Sequence, residues 1–389
     1  MAVGHSDDID VERALDAVIE ECETVLAGAV PRAGLLMASW DSDHRVLIDR
    51  IRGRYPGIQL AGATSAAEMS SILGFSEDSV ALALFASDTI EVTAGLAREL
   101  ARDPVASIRG AVADARAASS LPPSLCIAMM TIGSVEASVI LGTLRDALGP
   151  EVPILGGGAA PRDPATNPTN GIGAGRLIAG DVVTDDAVSI LLFSGPLAHS
   201  YGVDTGWRRV GPMATVTGVL PGSVTEIDGQ PATAFYKRYL GTAEPAIANP
   251  MAVFDALDAQ RFYLRTPIAY DEATGCVTFF GDVPLGSTVQ LTIAATDEIF
   301  AGARASIDDA LATYPAGHTP EAALIFSCTT RRFLLGTRAG REIDVVRGAV
   351  GLATPVAGVY CMGEIAPMAA GDPSRFHNAT LVSVLLGSL

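Results

Sequence analysis

The sequence predicts an α/β protein of mixed α+β character, with mixed sheets and flanking helices built from three β-α-β-β units plus a β-rich insertion. Three observations predict it. Three segments repeat the same order of apolar runs and glycine-closed strands. In each, two runs of buried-strand length bracket a helical stretch. Residues 199–297 break that texture with alternating strand patterns and Pro-Gly and Asp-Gly turns.

The elements follow in order. Val11, Leu15, Val18, Ile19, Cys22 and Leu26 recur at helical spacing, which predicts an amphipathic helix over about Asp10 to Leu26. The first strand of each unit reads GLLMASW (Gly34 to Trp40), LCIAMMT (Leu125 to Thr131) and ALIFSCT (Ala323 to Thr329). Helical stretches follow over Arg45 to Tyr55, Val135 to Leu148 and Arg341 to Gly348. The second strands are GIQLAG (Gly57 to Gly62), VPILGGG (Val152 to Gly158) and TPVAGVY (Thr354 to Tyr360). VALALFAS (Val80 to Ser87), VSILLFSG (Val188 to Gly195) and LVSVLLG (Leu381 to Gly387) close the units, which span about 33–87, 124–195 and 322–387. Two strands joined through a helix should be parallel neighbours with a right-handed crossover. The third, reached by a loop, is free to run antiparallel. The β-rich segment, with a short helix over Ala232 to Leu240, stands before the third unit. The domain boundary falls near Gly195 to Gly211. This divides the chain into an N-terminal helix plus α/β domain over 1–200 and an α+β domain over 201–389.

Composition narrows the function. Lys and Arg number 26 against 44 Asp and Glu, a net charge of −18, and no basic stripe exists to replace phosphate counterions. Nucleic acid is excluded as a partner. Charged residues are 18% of the chain, below the roughly 25% of a soluble average. Such a chain buries more than usual or self-associates as a homo-oligomer. The longest uncharged stretch, Ala117 to Val135, contains Pro122-Pro123 and four serines, so no membrane-spanning helix is expected. The acidic start, MAVGHSDDIDVER, is unlike a secretory signal and predicts a cytoplasmic protein. Five scattered cysteines without a CxxC fit a reduced compartment.

Several stretches together are similar to one known family: GIQLAGATSAAEM (Gly57 to Met69), Trp207 to Gly241, SCTTRRFLLG (Ser327 to Gly336), GVYCMGEIAP (Gly358 to Pro367) and FHNATLV (Phe376 to Val382). They resemble the FIST family, over about Ala33 to Leu389, with Ala67 standing where a second glycine is expected. The resemblance implies a bacterial or archaeal sensory module, a FIST-N domain followed by a FIST-C domain, that receives a small ligand such as an amino acid. No kinase, cyclase or methyl-accepting output resembles any part of this chain. The signal would therefore pass to a separate protein such as a histidine kinase or cyclase. Some members bind haem as nitric oxide sensors, which keeps haem as a candidate cofactor beside the reading of none.

The candidate site follows from strand ends. Aligning the units on Gly62, Gly156 and Gly358 places Glu68 and Glu364 six residues beyond, where the second unit offers Arg162 and Asp163. Ligands tend to sit past the carboxyl ends of such strands, where exposed backbone N–H groups collect. Arg331 would clamp a carboxylate with its guanidinium fork, Glu364 would hold an ammonium, and His377 and Asn378 would add hydrogen bonds. Thr64, Ser65, Gly157, Cys328, Tyr360 and Gly363 complete the expected ligand-binding set. A structural alternative pairs Arg331 with Glu364 as an internal strut. An enzymatic alternative activates Cys328 or Cys361 through His377, against the plainer reading of small buried hydrophobes. The five histidines form no HxH, HExxH or CxxCH pattern, so no metal site is expected. No GxSxG elbow occurs, and the GGG at 156–158 is not a dinucleotide fingerprint.

Overall fold

The computed structural model describes residues 1–162, 174–241, 246–255 and 261–389. Unit 1 runs β1 (Ala2–Ser6), α1 (Val11–Leu26), β2 (Ala33–Ser39), α2 (His44–Arg54), β3 (Gln59–Ser65), a hairpin of β4 (Ala67–Ser70) and β5 (Gly74–Ser76), and β6 (Val80–Phe85). Unit 2 runs β7 (Glu91–Arg98), α3 (Pro104–Ala117), β8 (Pro123–Met130), α4 (Ala137–Leu148), β9 (Ile154–Gly158), a hairpin of β10 (Leu177–Ala179) and β11 (Val182–Thr184), and β12 (Ala187–Ser194).

Unit 3 opens with β13 (Leu197–Asp204) and is then interrupted by the insertion. There β14 (Arg208–Leu220), β15 (Ser223–Ile227), β16 (Gln230–Pro231), β17 (Met251–Phe254), β18 (Phe262–Arg265), β19 (Pro267–Asp271), β20 (Cys276–Phe279) and β21 (Thr288–Ile293) form an antiparallel sheet, with α5 (Ala232–Leu240) following β16. Unit 3 resumes with α6 (Thr296–Ala312), β22 (Ala322–Cys328), α7 (Thr329–Leu335), α8 (Arg341–Val350) and β23 (Val356–Cys361). It ends in a hairpin of β24 (Glu364–Pro367) and β25 (Ser374–His377), then β26 (Leu381–Ser388).

The predicted repeat is present, and it is longer than predicted. Each unit starts one strand and one helix earlier, so the N-terminal helix belongs to unit 1 and the insertion falls inside unit 3 instead of before it. The extra strands β1, β7 and β13 lie on sheet edges: β1 is short and carries His5 and Ser6, while β7 and β13 alternate buried with partly exposed residues, so none shows the continuous apolar run of a central strand. As expected, β2 pairs with β3, β8 with β9 and β22 with β23 in parallel, and β6, β12 and β26 lie antiparallel beside β2, β8 and β22.

The three main sheets are interwoven. Their orders are β1-β6-β2-β3-β10-β11, β7-β12-β8-β9-β24-β25 and β13-β26-β22-β23-β4-β5. Four strands of each sheet come from its own unit and the last two are a hairpin lent by another. Unit 2 completes the sheet of unit 1, unit 3 that of unit 2, and unit 1 that of unit 3. The exchange closes on itself, so among these three units no sheet is complete without a neighbour.

Alternation along the strands explains the layers. Ala33, Leu35 and Met37, then Leu125, Ile127 and Met129, then Ala322, Leu324 and Phe326 meet in one central core shared by all three sheets. The intervening residues face outward to each unit's helices: Leu36 with Leu47 and Ile51, Cys126 with Ile140 and Leu144, Ile325 with Ile299 and Ile343. Strands covered on both faces require the near-continuous apolar runs that mark the repeat in the sequence. The aligned glycines lie within the second strands, not in turns after them. A Cβ on Gly62 would stand 2.0 Å from the Leu36 carbonyl oxygen, and one on Gly156 1.9 Å from that of Ala128. Glycine there permits the close approach of the parallel strands.

Candidate functional site

The registers define three equivalent positions. Gly157, Ala63 and Val359 each follow an aligned glycine, and the hairpin residues opposite them are Glu364, Leu177 and Glu68. Leu177, and not Arg162, is therefore the counterpart of the two glutamates; Asp163 lies outside the described residues. Sequence counting missed this because unit 2 carries a longer connection between strand and hairpin. By the same register Ser65, Ala159 and Cys361 are equivalent, as are Ser79, Ala187 and Thr380. Units 1 and 3 thus present a hydroxyl or thiol, a carboxyl and a hydroxyl. Unit 2 presents Ala159, Leu177 and Ala187, all within the central apolar core.

In unit 1 the carboxyl is held by its own repeat. Ser65 Oγ donates to Glu68 Oε1, and Ser79 donates to Oε2 through both its hydroxyl and its backbone N–H, the latter at 3.3 Å. His5 on the edge strand continues the chain, with Nε2 2.8 Å from Ser79 Oγ and Nδ1 2.8 Å from Ser70 Oγ. Ser70 Oγ already accepts from the backbone N–H groups of Ile72 and Leu73, so its proton goes to Nδ1 and the ring donates from Nε2. Burial depresses His5 to about 4, which keeps this ring neutral, and raises Glu68 to about 7. Neither His5, Ser70 nor Ser79 was singled out in the sequence, although Ser79 and Thr380 both stand immediately before a third strand.

In unit 3 the same arrangement recurs with sulfur. Thr380 donates to Glu364 Oε2 from its hydroxyl at 2.6 Å and its N–H at 3.2 Å, and Cys361 Sγ lies 3.6 Å from Oε1. Glu364 is fully buried and its carboxyl is raised to about 8 by desolvation. Cys328 pairs with Cys361 in register across β22 and β23. Burial, with the Glu364 charge adding to it, pushes the Cys328 thiol up to about 12 and Cys361 well above its ordinary value.

Arg331 lies elsewhere. Its partner is Glu342, not Glu364: Nε donates at 2.9 Å and Nη2 at 2.6 Å to Glu342 Oε1. Nη2 also donates to the Ile299 carbonyl at 2.8 Å and Nη1 to that of Thr205. The other carboxylate oxygen of Glu342 accepts from Tyr360 Oη at 2.6 Å and Ser327 Oγ at 2.9 Å. Arg331, Glu342 and Tyr360 are wholly buried, so this network joins the residue after β13 with α6, α7, α8, β22 and β23 behind the sheet. Glu342 went unnoticed in the sequence because it sits eleven residues on, in a helix with several other charges.

The remaining candidates are spread along the seams between sheets. Thr64 Oγ1 donates to the Ala160 carbonyl at 2.6 Å and accepts from Arg176 N at 2.9 Å, tying unit 1 to unit 2. His377, opposite Glu364 in the β24–β25 pair, bonds the Ala366 carbonyl through Nε2 at 2.9 Å and is depressed to about 4 by burial. Asn378 Oδ1 accepts from Thr266 N at 2.9 Å, and Arg265 Nη1 donates to the Phe376 carbonyl at 2.9 Å, which docks the insertion onto unit 3. A Cβ on Gly157 would stand 2.5 Å from Cys361 Sγ, and one on Gly363, at φ +77°, 2.2 Å from the Phe376 ring. Among the described residues no group of three or more His, Cys, Asp or Glu side chains is arranged to hold a metal ion. No helix among them is long and apolar enough to cross a membrane.

A cavity of about 470 Å³ opens at the seam between the sheets of units 2 and 3, away from the predicted site residues. Its walls are the end of α4 and the segment leading into β9, residues His199 to Val203 of β13, the end of α6 and the β24–β25 turn. Arg145, Glu151, His199, Tyr201 and Asp309 line it.

Three hairpin-exchanged units, with polar pins at two seams and an apolar plug at the third, define a class of mixed α/β binding scaffold. The family models place it: the FIST N domain matches residues 32–230 and the FIST C domain residues 232–367, and the chain belongs to the FIST family of sensory, signal-transduction domains. A search of curated proteins finds no match. Among solved structures, a cyanuric acid hydrolase from A. caulinodans aligns over 99% of this chain and 98% of its own, at 10% identity and a TM-score of 0.35. A second cyanuric acid hydrolase, described as an evolutionary innovation by structural concatenation, aligns over the same shares at 9% identity and a TM-score of 0.35. Those values carry no argument about the activity of this chain.

Proposed function

We propose that this protein senses a small polar metabolite, an amino acid or a molecule like it, and passes its state to a separate signalling protein. The observation that supports this reading is the pair of fully buried carboxyls, Glu68 and Glu364, at the bases of two exchanged hairpins. Each is held by hydroxyl groups and neither forms a salt bridge with a cation. A buried carboxyl without a counter-charge is costly when ionised, so a change in the packing of either hairpin base would shift its protonation state. A ligand that binds one packing better than the other shifts that balance.

Cysteine catalysis has less support. A nucleophilic cysteine needs a thiolate, and burial raises both Cys328 and Cys361. His377, the expected base, has Nε2 engaged by a backbone carbonyl. Haem also fits poorly. His5 has both ring nitrogens hydrogen-bonded, and His44 and His377 each have Nε2 bonded to a carbonyl. His199 keeps Nδ1 without a partner, but its cavity is lined by the carboxylates of Glu151 and Asp309, unsuited to the apolar faces and anionic propionates of a porphyrin.

The test is a thermal-shift screen of the whole chain against amino acids and other small metabolites. A ligand at 100 times its Kd should stabilise the protein by about 2.7 kcal/mol. A reproducible shift by one compound class supports the reading. A screen without any shift, together with a Soret band on haem addition or activity lost on thiol alkylation of the folded protein, would replace it.

A further inference from the structure

We infer that the cavity between the sheets of units 2 and 3 is the ligand seat, and that it takes a small dipolar molecule, one cationic and one anionic group on an apolar body. The inference rests on the small-ligand reading above and adds a place and a chemistry to it. The volume, about 470 Å³, falls in the range of small-molecule sites, which favour junctions between structural units. β13 reaches the β24–β25 turn through Tyr201 and Ala369, as β1 reaches the β4–β5 hairpin through His5 and Ser70. In unit 1 that seam is closed by the His5 bond to Ser70. At the seam of unit 3, Val203 takes the position of His5, and the space stays open.

The lining carries unmatched chemistry of both signs. Among the described residues the Arg145 guanidinium has no hydrogen-bond or ion-pair partner, and the carboxylates of Glu151 and Asp309 have none either. His199 also lines the cavity; burial lowers its pKa and keeps the ring neutral, against a hydrogen bond with the Ser124 backbone that raises it. Val152, Val203 and Pro367 supply apolar wall between the charged ends. An anionic group alone would meet two carboxylates, and a cationic group alone would leave Arg145 unmatched; a dipolar molecule answers both.

The same cavity touches the element best placed to report occupancy. Tyr201 Oη donates to the Ala369 carbonyl in the β24–β25 turn at 3.3 Å. Asp372 in that turn pairs with Arg261 of the insertion, and Arg375 at its return pairs with Asp255 at 2.7 Å. A ligand that presses on the turn therefore presses on the insertion.

The experiment uses the whole chain and three probes of matched body: L-norleucine, hexanoate and pentylamine, read by calorimetry and melting temperature. L-norleucine should bind more tightly than either singly charged probe. Arg145→Met and Asp309→Asn should each weaken it about tenfold, as loss of one charge-assisted bond would. Both side chains are exposed and have no partner among the described residues, so neither variant should move the melting temperature without probe. L-norleucine binding that both variants leave unchanged, or that Glu364→Gln abolishes while they do not, would overturn this seat. If none of the three binds but a wider metabolite screen finds a ligand, the chemistry assigned here is wrong and the sensory reading stands. If that screen finds none, the sensory reading fails first.

Discussion

The seams of units 2 and 3 solve one geometric problem with opposite chemistry. At the hairpin carried by unit 3, Cys361, Glu364 and Thr380 form a buried hydrogen-bonded cluster. At the hairpin carried by unit 2, Ala159, Leu177 and Ala187 fill the same positions and join the central core. Since the apolar version is compatible with the fold, the polar version is not required for folding. Replacing a buried polar cluster by apolar residues of similar shape is often neutral or stabilising, whereas removing one member of it is costly. The glutamates therefore stand where stability alone does not ask for them, and that is the physical ground for a functional reading of units 1 and 3.

The largest expected effect comes from moving the carboxyl without its partners. Leu177→Glu places an unsatisfied carboxyl between Ala159 and Ala187 and should cost several kcal/mol in denaturant unfolding. The triple variant with Ala159→Ser and Ala187→Thr should recover a substantial part. If the single variant is tolerated as well as the triple, the two seams are not equivalent and the comparison breaks.

Next is the strut behind the sheet. Arg331→Met leaves Glu342 buried without its cation, at a cost of about 3–5 kcal/mol. Arg331→Lys should also destabilise, because an ammonium cannot reproduce the fork that reaches Glu342, Ile299 and Thr205 together. An early melt for Arg331→Met with ligand affinity per folded molecule unchanged would make Arg331 purely structural. Lost affinity with an unchanged melt would restore the clamp expected from the sequence.

These two sites also show what the sequence discloses. The repeat was legible because double-sided burial writes continuous apolar runs, and the aligned glycines marked true structural equivalents. The hairpin exchange was not legible, since a short strand such as Ala67–Ser70 carries no mark of which unit it will pair with. Glu68 and Glu364 were found because both lie six residues past their glycine; their counterpart Leu177 lies twenty-one past Gly156 and required the strand register. Arg331 was recognised as a buried charge, but its partner was misassigned because Glu342 follows it in sequence across the turn from α7 to α8.

A smaller effect separates the hydroxyls from the carboxyl they hold. Thr380→Val removes one donor to Glu364 while keeping the shape, and should cost about 1–3 kcal/mol at neutral pH. Ala187→Thr alone, the reverse change in unit 2, should cost about 1–2 kcal/mol through an added buried hydroxyl. Equal tolerance of both in thermal unfolding would mean that Glu364 does not depend on Thr380.

The smallest effect is a slope with pH, and its sign is fixed by burial. Glu364 is raised from 4.5 to about 8 and Glu68 to about 7, so the folded state holds these protons more tightly than the unfolded chain. Their contribution is fully present below pH 4.5 and is lost as pH rises through 7 to 8. His5 and His377 are lowered from 6.5 to about 4; their contribution is fully present above 6.5 and is lost as pH falls toward 4. The two trends oppose one another between about pH 4.5 and 6.5, and above 6.5 only the glutamates act. The melting temperature of Glu364→Gln minus that of the parent should therefore rise between pH 6 and pH 9, because the amide never ionises. Leu177→Gln, at the seam without a carboxyl, should show no such rise. A flat difference for Glu364→Gln would mean that this carboxyl does not change ionisation between pH 6 and pH 9 in the folded protein, and the hairpin base of unit 3 would then hold no proton for a change of packing to release.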